Sequence, residues 1–316
     1  MPQHGQTLQN KISEIKEPPT LISCVGYVLT KEKYMNKLKE TTAKIVFLIC
    51  ACMSILAVAL ICLFLFANGI PGMIKIGPLD FLLGTKWKPG SGLYGIFPMI
   101  LGSIYVTAGA LIVGVPIGLL TAVFMVHFCP KRIYKILHPV VELLAGIPSI
   151  VYGFFGLTVI VPLINSIFGE GGKSILTASL LLGIMILPTI ISVSESSIRA
   201  VPESYYEGAL ALGATHERAV FAVSLKAAKS GILAAIILGV GRAVGETMAV
   251  IMVAGNQARL AGGVLDGVRT MTANIVLEMG YAADLHREAL ISTAVVLFVF
   301  ILLINLAFSA VKRHAK

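Results

Sequence analysis

Charge is what this chain has least of. Only 13% of its 316 residues are Asp, Glu, Lys or Arg, about half the share usual in a soluble domain. That deficit excludes a disordered chain, a coiled coil and a cytosolic Rossmann or barrel enzyme, and it leaves a polytopic membrane protein. Cysteine is scarce and badly placed for crosslinks. Cys24, Cys50, Cys52, Cys62 and Cys129 make an odd number without a CxxC pair, so neither a disulfide framework nor a structural zinc site fits. Four of them lie in or beside apolar runs, where Cys behaves as a small hydrophobe. Catalytic signatures of the HExxH and GxSxG kind are missing as well. The string Ile167-Phe-Gly-Glu-Gly-Gly-Lys-Ser174 comes near a phosphate loop, but Ile stands where the first Gly belongs and no strand precedes it.

What the chain does have is long apolar runs. Six are long enough to span a bilayer: 43–67, 99–127, 136–164, 175–197, 229–255 and 289–311. Asn68-Gly69-Ile70-Pro71-Gly72 is expected to end the first, and the third is interrupted by Gly146-Ile147-Pro148-Ser149. The first run begins too late and is too long for a signal-peptide core. The net charge of +9 is distributed with a bias. Lys and Arg crowd the N-terminal tail, the short loop with Lys131, Arg132 and Lys135, the segment with Arg199, Arg218 and Lys226, and the C-terminus. The opposite loops are dilute or mixed in sign. Both termini are therefore expected in the cytoplasm, which needs an even number of spans. The positive charge reads as topology and lipid-headgroup contact, not as a nucleic-acid footprint.

Two charges fall deep inside one span, away from its ends. Arg242 lies near the middle of the fifth, where an ionised side chain costs about 2.5–3.5 kcal/mol, and Glu246 follows four residues later, on the same face of a continuous helix. An Arg fork suits an oxyanion, and a paired Glu would hold the fork when no anion is present. The bland alternative is a buried structural ion pair. At the second break, Pro148 interrupts the helix ladder, and a half-helix starting at Ser149 would aim N–H groups at an anion; a packing kink is the alternative. Glu195 and Arg199 read as a surface brace, and Glu142 is expected to pair with Lys131, Arg132 or Lys135. The GxxxG pairs Gly114/Gly118 and Gly241/Gly245 read as close helix packing.

Residues 201–228 form the one long interior loop. Val201-Pro202-Glu203 opens like a helix, Gly213 suits its stop, and Thr215 with Glu217 suits the start of a second helix ending near Leu225. Two short amphipathic helices there would make either a docking surface or an anchor on lipid.

Glu207-Gly208-Ala209, Gly213 and Val223-Ser224-Leu225 resemble the coupling loop of ABC importer permeases, with Gly208 in place of the usual Ala and Lys226 in place of the usual Pro. Gly146-Ile-Pro-Ser-Ile-Val-Tyr-Gly153 resembles the broken-helix signature of phosphate importer permeases. Gly241-Arg-Ala-Val-Gly-Glu-Thr-Met-Ala-Val250 and Gly84-Thr-Lys-Trp-Lys-Pro89 resemble its PstC type. The likeness extends over 43–312. It implies an all-α integral membrane protein of six transmembrane helices in the ABC importer type I permease fold, with both termini inside. The expected division is a cytoplasmic tail at 1–42, a permease domain at 43–312 and a cytoplasmic end at 313–316. The implied substrate path holds Arg242, Glu246, Ser149 and Thr247, the first two required for transport, beside the helix break at Gly146 and Pro148. The implied ATPase-coupling residues are Glu207, Gly208, Ala209, Gly213 and Leu225. The resemblance implies a non-enzymatic chain that binds no cofactor, partner subunits that use ATP, a second related permease, two ATP-binding subunits, an extracytoplasmic phosphate-binding protein and surrounding lipid. A molybdate or sulfate permease and a secondary anion transporter stand as alternatives.

Overall fold

The structure, a computed structural model, describes residues 21–314, with side chains for 40–307, 309 and 310. Residues 1–20 of the expected tail and the last two residues of the chain lie outside the described residues. The chain divides between Leu63 and Phe64 into two units. The tail expected through residue 42 is helical from Leu21, within α1 (Leu21–Ile76). In the first unit this helix carries large apolar side chains all round, with Phe47 73% and Ile55 71% exposed, a surface suited to lipid.

The second unit begins with a departure from the expected boundary. Asn68 to Gly72 does not stop α1, which passes through Pro71 and ends at Ile76. The glycines serve packing instead. A Cβ on Gly69 would lie 2.5 Å from Val295, and one on Gly72 would lie 2.9 Å from Glu288. Ser292 seals this approach by donating to the Gly69 carbonyl at 2.6 Å. There follow α2 (Pro78–Leu83), a hairpin of β1 (Trp87–Lys88) and β2 (Leu93–Tyr94), and α3 (Phe97–Phe128). Next come α4 (Lys131–Gly146), α5 (Ser149–Phe168) and α6 (Ile175–Arg199).

The interior segment holds α7 (Glu203–Ala211) and α8 (His216–Ala227), after which the chain bends by 70° into α9 (Lys229–Gly245). The remaining elements are α10 (Met248–Val253), α11 (Met271–Met279) and α12 (Asp284–His314). Five described helices are long and apolar enough to cross a bilayer, and the bent pair α8–α9 makes a sixth.

The third span differs from expectation. The break does not bisect one membrane helix; it separates amphipathic α4 from a complete 20-residue crossing helix, α5. Polar positions explain this, because α4 carries Lys131, Arg132, Lys135, His138 and Glu142. Nor does Glu142 reach the lysines: it faces His138 one turn back, at 3.7 Å.

The centre of the unit is the packing of α3 on α6, where Leu181, Leu182, Met185, Ile186 and Ile190 are almost fully buried. Gly114 and Gly118 do here what their spacing suggests. A Cβ on either would sit 2.8 Å from Ile186 or Ile190. Gly114→Val therefore forces the two helices apart and is expected to cost about 1–3 kcal/mol of stability. Thermal unfolding of the purified protein in detergent checks this; an unchanged midpoint would contradict the close packing. Gly241 and Gly245 are the opposite case. Nothing lies within 4 Å of a Cβ at either position, so they open space where close packing was expected.

Candidate functional site

Both breaks fall next to one another. Gly153 in α5 packs on Ala249 and Met252 of α10, and Gly156 packs on Val253. Ascending numbers pair with ascending numbers, so α5 and α10 run parallel. Each starts immediately after a break, at Ile147-Pro148 and at Glu246-Thr247 respectively. Gly146 and Pro148 are exposed, and Ser149 is half-buried, its hydroxyl making no cap.

Arg242 and Glu246 do not form the expected pair. The helix ends at Gly245, and Glu246 adopts an extended backbone, φ −68° and ψ 134°, so the two residues no longer share a helical face. The Glu246 carboxylate accepts instead from the backbone N–H of Ala249 at 3.2 Å. It thereby serves an otherwise orphaned donor at the start of α10. Thr247 donates to the Gly245 carbonyl at 3.3 Å.

The Arg242 guanidinium is left to donate to the Thr189 hydroxyl of α6 at 3.2 Å. Among the described residues no acidic side chain lies within ion-pair distance of it. A Cβ built on Gly146, Gly241 or Gly245, the glycines beside the two breaks, would meet nothing within 4 Å. Thr189 escaped the sequence reading, because it is one of seven Ser and Thr residues in the span 175–197 and nothing local sets it apart.

At the other end of the helices, the interior segment follows its expected outline. Thr215 accepts from the backbone N–H of Arg218 at 3.4 Å, and Gly213 takes φ +84°, a left-handed stop that suits Gly. The second helix runs two residues past Leu225, to Ala227. The inner side of the pair is fastened: the Tyr206 hydroxyl lies 2.6 Å from His216 Nδ1, and the His216 ring meets Phe128 at 4.7 Å. Leu225 packs with Val220, Ala228 and Ile198. On the outer side Glu207, Gly208 and Gly213 are exposed and Ala209 is half-buried; Tyr205 and Leu212 stand 55% and 91% exposed.

Beneath this segment Glu195, only 5% exposed, accepts from Tyr134 at 2.7 Å and from Arg199 at 3.0 Å. The Arg199 guanidinium also lies 4.9 Å from the centre of the Tyr134 ring. Burial, and then donation to Glu195, push the Tyr134 hydroxyl above its ordinary pKa. The expected brace thus includes a tyrosine from α4 that spacing alone could not reveal.

The sequence profile of the family described as "Binding-protein-dependent transport system inner membrane component" matches residues 114–316. The chain belongs to this family. Its members are multi-pass proteins of the inner membrane, and so is this one. Among relatives of this inner membrane component, the "Probable ABC transporter permease protein YqgH" of Bacillus subtilis is 38% identical over 88% of this chain and 93% of its own. The "Phosphate transport system permease protein PstC" of Mesorhizobium japonicum is 33% identical over 76% and 80%; that of Haemophilus influenzae is 32% identical over 86% and 93%.

Two solved structures share the fold. A chain of the inward-facing MetNI methionine ABC transporter superposes with TM-score 0.54 at 20% identity, covering 76% of this chain and 99% of its own. A chain of a bacterial alginate ABC transporter superposes with TM-score 0.56 at 15% identity, covering 83% and 93%. These likenesses show the ABC importer permease fold of type I.

Proposed function

We propose that this permease carries inorganic phosphate inward, in an importer driven by ATP that partner subunits hydrolyse. The observation that carries this reading is Arg242: a cation in a membrane-spanning segment, in the last turn of α9 before its break and held by one neutral hydroxyl. An unpaired guanidinium at such depth is costly unless an anion visits it. Its planar fork fits two oxygens of an oxyanion. Ser149 and Thr247, at the starts of α5 and α10, are the hydroxyls nearest in the chain to the two breaks, and both are half-buried.

Glu246 favours phosphate over sulfate. A carboxylate beside the path repels a fully ionised oxyanion but accepts a hydrogen bond from the protonated oxygen of hydrogen phosphate. The names of the relatives point the same way. The exposed face of α7 and its turn, with Glu207, Gly208, Ala209, Gly213 and the apolar Leu212, is the surface on which an ATPase would seat. Leu225 would steady it from below.

In this reading both termini lie in the cytoplasm, residues 43–312 are the permease, and the chain itself binds no cofactor. A second permease completes the path, two ATPases drive it, and an extracytoplasmic binding protein delivers phosphate. Uptake of radiolabelled phosphate by cells depending on this chain tests the substrate. Excess unlabelled phosphate is expected to compete, and equimolar sulfate or molybdate to leave uptake unchanged. Competition by either oxyanion as strong as that by phosphate would overturn the assignment.

A further inference from the structure

The short helix α11 (Met271–Met279) is fixed at both ends. At its start Thr270 accepts from the Ala273 N–H at 3.2 Å, and the Met271 N–H donates to Ser103 of α3 at 3.0 Å. The second residue of the helix does something different. Thr272, 7% exposed, donates its hydroxyl to the backbone carbonyl of Glu246 at 3.0 Å. In a helix a threonine usually bonds a carbonyl of its own preceding turn. Here the acceptor is a carbonyl freed where α9 stops, in the residue that follows the last turn bearing Arg242.

The other end is a buried carboxylate. Glu278, 7% exposed, accepts from Trp87 Nε1 at 2.8 Å and from Arg269 Nη1 at 2.6 Å, and lies 2.8 Å from His286 Nε2. Those three groups come from the hairpin after α1, the loop before α11 and the first turn of α12. Arg269 also donates to the Asn256 carbonyl and to the fully buried Asn274 side chain, both at 3.0 Å. Nine helical residues span about 13 Å, so α11 joins the hairpin cluster to the break through a rigid element.

We infer that α11 is a strut between the extracytoplasmic hairpin and the path, and that Thr272 is a positioning residue that sets the backbone bend at Glu246. This rests on the phosphate-path reading above. A displacement of the hairpin by a docked protein is carried through Glu278 and Thr272 to the residues flanking Arg242. Thr272 does not touch the anion; it fixes the turn that separates Glu246 from Arg242.

Three substitutions test this in cells carrying the whole importer. Thr272→Val replaces the hydroxyl by a methyl, removing its bond to the Glu246 carbonyl and its 3.0 Å contact with the Thr270 hydroxyl. It is expected to lower the maximal rate of phosphate uptake about tenfold, the scale of one lost hydrogen bond that matters in the transition state. Thr272→Ser restores the donor and is expected to stay within about twofold of wild type. Trp87→Phe keeps the ring near Tyr94, loses the donor to Glu278, and is expected to lower the maximal rate while leaving half-saturation by phosphate unchanged. All three should reach wild-type amounts in the membrane. Wild-type uptake by Thr272→Val, equal impairment of Thr272→Ser, or loss of Thr272→Val from the membrane would overturn the positioning role. Wild-type uptake by Trp87→Phe would overturn the strut. Arg242→Gln separates the two layers: if it abolishes uptake while Thr272→Val is normal, only the present inference fails; if it also transports normally, the path itself is wrong.

Discussion

Arg242→Gln is expected to abolish phosphate uptake, by at least about 10²-fold, with the chain still in the membrane and still bound to its ATPase. The magnitude follows from two charge-assisted hydrogen bonds, each worth about 1.5–3 kcal/mol. Gln is polar and uncharged but shorter; it carries neither the charge nor the fork and does not reach Thr189, to which Arg242 donates at 3.2 Å. Because no carboxylate pairs with Arg242 among the described residues, removing the cation strands no buried anion. The protein is therefore expected to fold. Arg242→Lys keeps the charge as a point and loses bidentate contact, so it should retain a fraction of the rate. Uptake kinetics together with membrane abundance separate these outcomes; normal uptake by Arg242→Gln would remove the anion from this site.

The second large effect is expected at Glu207. This side chain stands exposed on α7, while the adjacent Tyr206 fastens the helix to His216. Reversing an exposed charge perturbs a fold little, yet a like-charge contact in an interface costs several kcal/mol. Glu207→Lys should therefore leave the chain intact, lower substrate-stimulated ATP hydrolysis in reconstituted vesicles at least about tenfold, and weaken co-purification of the ATPase. Unchanged stimulation would mean that α7 is an anchor on lipid and that coupling runs elsewhere.

Local signals were legible where chemistry is local. Pro148, Gly213 and Thr215 each dictate a backbone conformation by themselves, so the break and the two interior helices could be read directly from the residues. The count of six spans followed from apolar length. Boundaries were harder. Gly69 and Gly72 look like a stop, but their meaning depends on Val295 and Glu288 more than 200 residues away, which no local pattern contains. The same holds for the path. A separation of four from Arg242 to Glu246 implies one face only if the helix continues, and it stops at Gly245. That stop turns an expected ion pair into a guanidinium bonded to Thr189 and a carboxylate serving α10. Gly114 and Gly241 share a motif and have opposite surroundings for the same reason. Thr189, Tyr134 and Thr272 were invisible because each acts through a partner on another helix.

The central claim is ATP-driven movement of phosphate through this chain. Its most direct test is accumulation of radiolabelled phosphate in vesicles holding the chain with its partner permease and ATPases, with ATP inside the ATPase-accessible compartment and the phosphate-loaded binding protein on the opposite side. The account predicts accumulation against a gradient that requires ATP and vanishes with Arg242→Gln. Equal accumulation without ATP, or with Arg242→Gln, would contradict it.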